Sequence, residues 1–166
     1  MVCSLNKYMR KGFTLIELLV VMAIVSILFA LSIGSLNSLQ QDANQHTSEE
    51  ILISDIKLQQ LKSMSGDNAG SGSFLPFGVY FGTNSYTLFR GNTYNAADPT
   101  NFTVTLSPNI TFTSVLFANS QIVFAKNSGE ITGFTNGNNT ITLNNSVTGK
   151  NSVITLNRYG VVINVQ

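Results

Sequence analysis

The chain has 166 residues, a formal net charge of +1 and only 10% charged residues. One modest folded domain fits this length, whereas two separate folded cores do not. The near-neutral charge excludes a strongly basic field of the kind that binds nucleic acid through bulk electrostatics.

The N-terminal segment is basic and precedes a long apolar run. Its basic side chains are those of Lys7, Arg10 and Lys11. From Phe13 to Ile33 the residues are almost all apolar, and Glu17 is the single charge. A run of this length can cross a hydrocarbon core of roughly 30 Å as one helix. Because positive charge before a span stays on the cytoplasmic side, we expect the rest of the chain to face outward.

An ordinary secretory signal is one alternative for this segment, since it also joins a basic start to an apolar stretch. The run is too long for such a signal. The small residue at the boundary between charged and apolar residues is Gly12, which precedes the run. A generic single-pass anchor with a stray glutamate is the other alternative.

Residues 11–20 resemble the class III signal of type IV pilins and type II secretion pseudopilins. The matching residues are Lys11-Gly12-Phe13-Thr14-Leu15-Ile16-Glu17-Leu18-Leu19-Val20. The match combines a charge, a glycine, a glutamate and an apolar span at fixed spacing. The resemblance implies that a membrane aspartyl prepilin peptidase cleaves after Gly12 and methylates the new N-terminus at Phe13. It also implies that Glu17 acts in filament assembly with other pilins or pseudopilins.

Cys3 is the only cysteine, and it lies in the implied leader. A lipoprotein cysteine would follow an apolar stretch, whereas Cys3 precedes one. The mature chain would therefore contain no disulfide and no cysteine metal site. Many major pilins carry a disulfide-closed loop near the C-terminus, so this departure favours a minor pilin or a pseudopilin.

Beyond Ile33 apolar residues recur at spacings of three and four, which predicts an amphipathic continuation of the helix to about Met64. The recurring positions form three sets, which are Leu36, Leu39 and Ala43, then Leu52 and Ile56, then Leu58, Leu61 and Met64. Polar residues between them, including Gln45 and Glu49, suit a solvated face. His46 is the sole histidine, and we expect it at the surface or core edge of the helix, outside any metal or catalytic site.

The rest of the chain is predicted to be rich in β-structure. The predicted strands are Phe77 to Phe81, Tyr86 to Arg90, Phe102 to Leu106, Ile110 to Phe117, Gln121 to Ala125, Glu130 to Phe134, Thr140 to Leu143, Val153 to Leu156 and Val161 to Val165. Apolar residues alternate with polar ones at Ile141 to Leu143 and at Ile154 to Leu156. Turn residues separate the later strands. Because short strands need the apolar side of the helix to complete a core, the predicted fold class is α+β. One long N-terminal helix is packed by an antiparallel sheet, as the pilin resemblance also implies.

The predicted organisation has five parts. They are a leader (1–12), a transmembrane helix (13–33), its amphipathic continuation (34–64), a glycine-rich linker (65–73) and an extracytoplasmic β-rich domain (74–166). In the last part, 122–124, 141–143 and 154–162 are similar to the H-type pseudopilins and FimT-type minor pilins, the GspH/FimT group. This resemblance implies a structural subunit of a type IV pilus or a type II secretion pseudopilus, anchored in the lipid of the inner membrane. Major pilins and the other minor pseudopilins stay open as alternatives.

A FimT-like minor pilin that binds DNA is the alternative function, with candidate contacts at Lys126, Lys150 and Arg158 near predicted turns. Without the three basic residues of the leader, the nine Lys and Arg become six against eight Asp and Glu. Phosphate binding needs several cations on one surface, so solvated turn charges are the simpler explanation. No catalytic constellation, cofactor site or metal site is predicted.

Overall fold

The computed structural model describes residues 12–66 and 74–166, except the side chains of residues 31–37. Residues 1–11 of the predicted leader and 67–73 of the predicted linker lie outside this part of the chain. The contacts divide the chain into two compact units, one ending at Leu39 and one running from Gln40 to Gln166.

One helix, α1, spans Leu15–Ser65 and confirms the predicted helix. In the second unit its buried residues recur at spacings of three and four, the spacing of one helix face. They are Gln45, Ser48, Glu49, Leu52, Ile56, Gln59 and Ser63. The buried face is thus mostly polar, and the prediction that Gln45 and Glu49 lie on a solvated face is wrong.

The apolar positions of α1 do not all face the core. Leu52 and Ile56 are fully buried. Leu58, Leu61 and Met64 are 43%, 61% and 50% exposed, so this predicted apolar set does not face the core. Successive helical residues are rotated by about 100°, so Leu58 points to a different side of the helix from Ile56 whatever its hydropathy. An apolar stripe on α1 therefore faces outward.

In the described part of the chain, eight strands form two four-stranded antiparallel sheets. The strands are β1 Phe77–Phe81, β2 Ser85–Arg90, β3 Phe102–Thr105, β4 Ile110–Val115, β5 Gln121–Phe124, β6 Thr140–Asn145, β7 Asn151–Leu156 and β8 Val162–Val165. Sheet A has the order β3-β2-β1-β5, and sheet B has the order β4-β6-β7-β8. The fold class is α+β as predicted, with two sheets in place of one.

The predicted strand from Glu130 to Phe134 is not formed. Among the described residues of this segment, Ile131 alone makes a bridge, to Phe124. Gly133 then has a φ of 68°, a left-handed conformation that an extended strand does not use. The chain turns away after one residue pair, although the Ile131 side chain is buried in the core.

The two sheets and the second-unit part of α1 share one hydrophobic core. The alternation predicted for β6 and β7 is confirmed, because their inward apolar residues are fully buried. These residues are Ile141, Leu143, Ile154 and Leu156. In contrast, Phe102 on β3 and Ile163 on β8 are exposed, although both strands were correctly predicted.

Candidate functional site

The first turn of α1 is closed by Thr14 and Glu17. Thr14 lies just before the first helical residue, Leu15. Its backbone N–H and its hydroxyl each donate to Glu17 Oε2 at 2.9 Å, and the Glu17 N–H donates to Thr14 Oγ1 at 3.3 Å. This arrangement is a capping box, in which the residue before the helix and the third helical residue satisfy each other's backbone donors.

Glu17 therefore has a hydrogen-bond partner within its own chain. Sequence reasoning missed Thr14 in this role, although the Thr-x-x-Glu spacing before an apolar run is the signal of a capping box. Both bonds that Glu17 accepts go to Oε2. No hydrogen bond within the described residues uses Glu17 Oε1, so one carboxylate oxygen stays available.

The residues around the predicted cleavage point are open to solvent. Every residue from 12 to 30 is exposed, and Phe13 is 86% exposed. Within this range Glu17 is the single charged residue. Over the two described ranges, we find no helix with enough length and apolar character to traverse a membrane.

Two of the three candidate DNA contacts are paired with carboxylates. Lys150 Nζ lies 2.6 Å from Asp42 Oδ2. Arg158 donates to Glu130 Oε2 from Nη2 at 2.8 Å and from Nε at 3.1 Å. Lys126 is exposed, and no carboxylate of the described residues forms an ion pair with it. Neutralisation of two cations lowers the positive potential that a phosphate backbone would meet.

The structure does not bring the three candidates together. The turn that contains Lys126 donates a backbone N–H to Ser63 O, near the end of α1. Arg158 lies at the same end, since its carboxylate partner follows this turn. Lys150 instead contacts Asp42, and at 1.5 Å per residue Asp42 and Ser63 are about 30 Å apart along the helix.

His46 occupies the surface position predicted for it. Its Nδ1 lies 3.7 Å from Glu50 Oε1, and both side chains are exposed. The spacing of four residues is that of an ordinary pair on a helix surface. Within residues 12–66 and 74–166, no three His, Cys, Asp or Glu side chains gather into a group that could hold a metal ion.

Residues 7–33 match the prokaryotic N-terminal methylation motif. The matched segment contains Gly12, Phe13 and Glu17, and a motif of this kind indicates a type IV pilin-like prepilin with a leader before the span. Such a leader implies processing by a prepilin peptidase and assembly with other pilins. Comparisons with curated proteins and with solved structures find no match to the chain.

Proposed function

We propose that the chain is a minor pilin or pseudopilin, a structural and non-catalytic subunit of a type IV pilus or a type II secretion pseudopilus. The observation that carries the proposal is the methylation motif at residues 7–33. The α+β fold that begins with α1 also supports it. Because Cys3 is the only cysteine, a minor subunit of the H-type or FimT-type group is favoured over a disulfide-closed major pilin.

Residues 13–33 serve as a single span in the bacterial inner membrane. The apolar run with one charge supports this placement. The three basic residues before Gly12 orient the span with its N-terminus in the cytoplasm and the 74–166 domain outside. Prepilin peptidase removes residues 1–12, and membrane lipid covers the exposed apolar side chains before assembly.

Glu17 connects one subunit to the next. Cleavage after Gly12 creates a cationic amine on Phe13, which stays cationic after one methylation. A carboxylate in apolar surroundings is costly unless it is paired. The capping box occupies Oε2, so Oε1 is free to accept the Phe13 amine of a neighbouring subunit. In low dielectric such an ion pair is strong, and loss of one partner leaves the other charge buried and unpaired, which is unfavourable.

The second half of α1 supplies further contact surface. Ile51, Leu58 and Leu61 are exposed. They are separated by seven and three residues, which places them along one side of a helix. An apolar stripe of this spacing fits the helix of a neighbouring subunit, so it supports assembly through α1.

Intact-mass analysis of protein from its native host tests the proposed processing. We expect loss of residues 1–12 and the addition of one methyl group at Phe13. A mature N-terminus beyond Ile33 would identify an ordinary secretory signal and would overturn the proposal.

The variant Glu17→Gln tests the assembly role. Glutamine also serves as the third residue of a capping box, so the variant keeps the cap and loses the charge. We expect normal insertion and processing but strongly reduced incorporation into filaments, measured by cross-linking to partner pilins. Thr14→Ala is the control, because it breaks the cap and retains the Glu17 charge. If Glu17→Gln assembled at the wild-type level, the role of Glu17 would be limited to capping the helix, and the assembly role would be wrong.

The FimT-like DNA-binding role is the weaker alternative. Its candidate residues are Lys126, Lys150 and Arg158. Two of them form ion pairs, and Lys150 is separated from the others by about 30 Å along α1. Lys126 and Arg158, which lie at one end of the domain, are the two candidate residues that could contact DNA together.

A further inference from the structure

Strand β8 forms an open edge of sheet B, with β7 as its neighbour in the described part of the chain. The backbone N–H and C=O of Gln166 exchange hydrogen bonds with Val153 of β7. Because successive residues of a strand direct these groups to opposite sides, the N–H and C=O of Val165 point away from β7. No described residue pairs with them. This end of β8 therefore presents a backbone donor and acceptor that a further strand can fill.

The edge formed by β8 is apolar and exposed. Val161, Ile163 and Val165 are 51%, 60% and 44% exposed. Residues 161–166 contain no charge and no proline, which are the features that often protect a strand edge from pairing. The pairing with β7 is regular at Asn164 and Val165, and the shift in register lies before them. An extended polypeptide is the ligand whose backbone complements such an edge.

A groove of about 380 Å³ lies between α1 and this end of β8. Glu49 of α1 and Val165 of β8 both line it. Val165 pairs with Ile154, whose side chain is fully buried in the core. Since paired residues share one face of a sheet, the Val165 side chain lies on the face that packs against α1. A strand added to β8 would extend sheet B beside α1, and its side chains on this face would enter the groove.

Glu49 is a mostly buried carboxylate without a partner. It is 9% exposed, and no hydrogen bond or ion pair with another described residue engages its carboxylate. Its carboxylate oxygens are not among the fully enclosed polar atoms, so a ligand in the groove can reach them. A carboxylate that has lost most of its water and has no counter-charge is unfavourable. A cation therefore fits beside Glu49.

The other charged groups of the groove leave the charge of Glu49 in excess. Lys150 Nζ lies 2.6 Å from Asp42 Oδ2, so these two charges offset each other. His46 lies 3.7 Å from Glu50 on the exposed surface of α1. Within the described ranges no three ligand side chains gather for a metal ion. Next to a strand edge, the cation that fits is a basic side chain carried by an extended segment.

We propose that β8 and this groove bind an extended segment of a partner protein in which a basic residue lies between apolar residues at alternate positions. The backbone of the segment pairs with Val165 at the free edge. Its basic side chain enters the groove and pairs with Glu49, and its apolar side chains cover the exposed part of Val165. Addition of a strand to a sheet edge is a recurring mode of peptide recognition. The surface goes beyond the filament role proposed above and does not depend on it.

Calorimetric titration of the full chain in nonionic detergent tests the surface, with the peptide acetyl-Thr-Val-Thr-Arg-Thr-Val-Thr-amide as the probe. Its valines and arginine lie on one side of an extended chain. We expect this peptide to bind, and we expect a peptide with citrulline in place of arginine to bind about tenfold more weakly, because citrulline keeps the shape and lacks the charge. A peptide with N-methylated backbone amides should also bind about tenfold more weakly, since it lacks the donors of a ladder.

The variant Glu49→Gln should weaken binding of the arginine peptide by about tenfold and should not change binding of the citrulline peptide. Glu50→Gln is the matched control, because Glu50 is the exposed neighbour and does not line the groove. Val165→Pro removes the free N–H of β8 without loss of a bond to β7, and proline is tolerated at such an edge position. This variant should stay folded by circular dichroism and lose binding of both peptides.

Equal binding of the arginine and citrulline peptides, or no binding at millimolar peptide, would overturn the proposal. Wild-type affinity in Val165→Pro would show that no strand pairs with β8 and would overturn it as well. Free arginine that binds as tightly as the peptide would assign the groove to small cations instead. A dimer of the full chain that Val165→Pro abolishes would make a second copy the occupant, which also contradicts the proposal.

Discussion

Tyr86 is a polar side chain held in the centre of the core. It is 1% exposed, and its hydroxyl donates to Asp55 Oδ2 at 2.6 Å. Burial raises the pKa of Tyr86 above its ordinary value, and the hydrogen bond to Asp55 and the Asp55 charge raise this pKa further. The unfolded chain loses this proton near pH 10, whereas the folded chain keeps it. The contribution of neutral Tyr86 to stability is therefore full below about pH 10 and is lost as the pH rises towards the pKa of the folded state.

The variant Tyr86→Phe should lower the free energy of unfolding at neutral pH by about 1–3 kcal/mol, because Asp55 Oδ2 loses its donor. It should also flatten the loss of stability above about pH 10. Urea unfolding at a series of pH values measures both effects. Tyr159→Phe is the control, since Tyr159 is exposed. If the free energy of unfolding fell with pH equally steeply above about pH 10 in Tyr86→Phe and in the wild type, the raised pKa of Tyr86 would be contradicted.

Among the elements, α1 attaches to both sheets through polar side chains. Gln60 Nε2 donates to Gly129 O at 2.9 Å and to Tyr159 O. Ser63 Oγ accepts the Phe77 N–H at 2.9 Å. These backbone groups lie in turns or at a strand end, where a sheet provides no ladder partner for them. The polar residues of α1 therefore fix its position against the strands, while Leu52 and Ile56 provide its apolar contact.

The variant Gln60→Ala should destabilise the protein by about 2 kcal/mol, since two hydrogen bonds of about 1 kcal/mol each are lost. Chemical unfolding of the purified variant measures the change. Gln40→Ala on the same helix is the matched control, because Gln40 is exposed. If the denaturant midpoint of Gln60→Ala equalled that of the control, the turns at Gly129 and Tyr159 would be held by other contacts.

At the scale of the whole molecule, the second unit contains its own core. Residues Gln40 to Gln166 form one compact unit, and the buried apolar cluster lies within it. We expect a fragment that starts at Gln40 to be soluble and monomeric, with mixed helix and strand by circular dichroism. Light scattering after size exclusion measures its mass, and an unfolded or aggregated fragment would contradict this expectation. With labelled duplex DNA the fragment should show no salt-sensitive binding.

Local patterns in the sequence determined the N-terminal segment and most of the elements. The Gly12–Phe13 boundary, Glu17 and the apolar run are adjacent along the chain, so their spacing is visible without a fold. The alternation at Ile141 to Leu143 and Ile154 to Leu156 predicted buried strands, because neighbouring side chains of any strand point to opposite faces. The methylation motif follows from the same local spacing.

The tertiary structure alone decided which surfaces are covered. The sequence predicted an amphipathic α1 with its polar residues in solvent, but Leu58 is exposed and Gln59 is buried because of where the sheets lie. Lys150 and Asp42 pair across 108 positions, and no local pattern specifies a partner at that distance. The Glu130 to Phe134 segment has the composition of a strand, but the chain turns at Gly133, and of this segment only Ile131 pairs with another strand, at Phe124. Burial and pairing of this kind depend on contacts between distant segments, which exist only once the chain has folded.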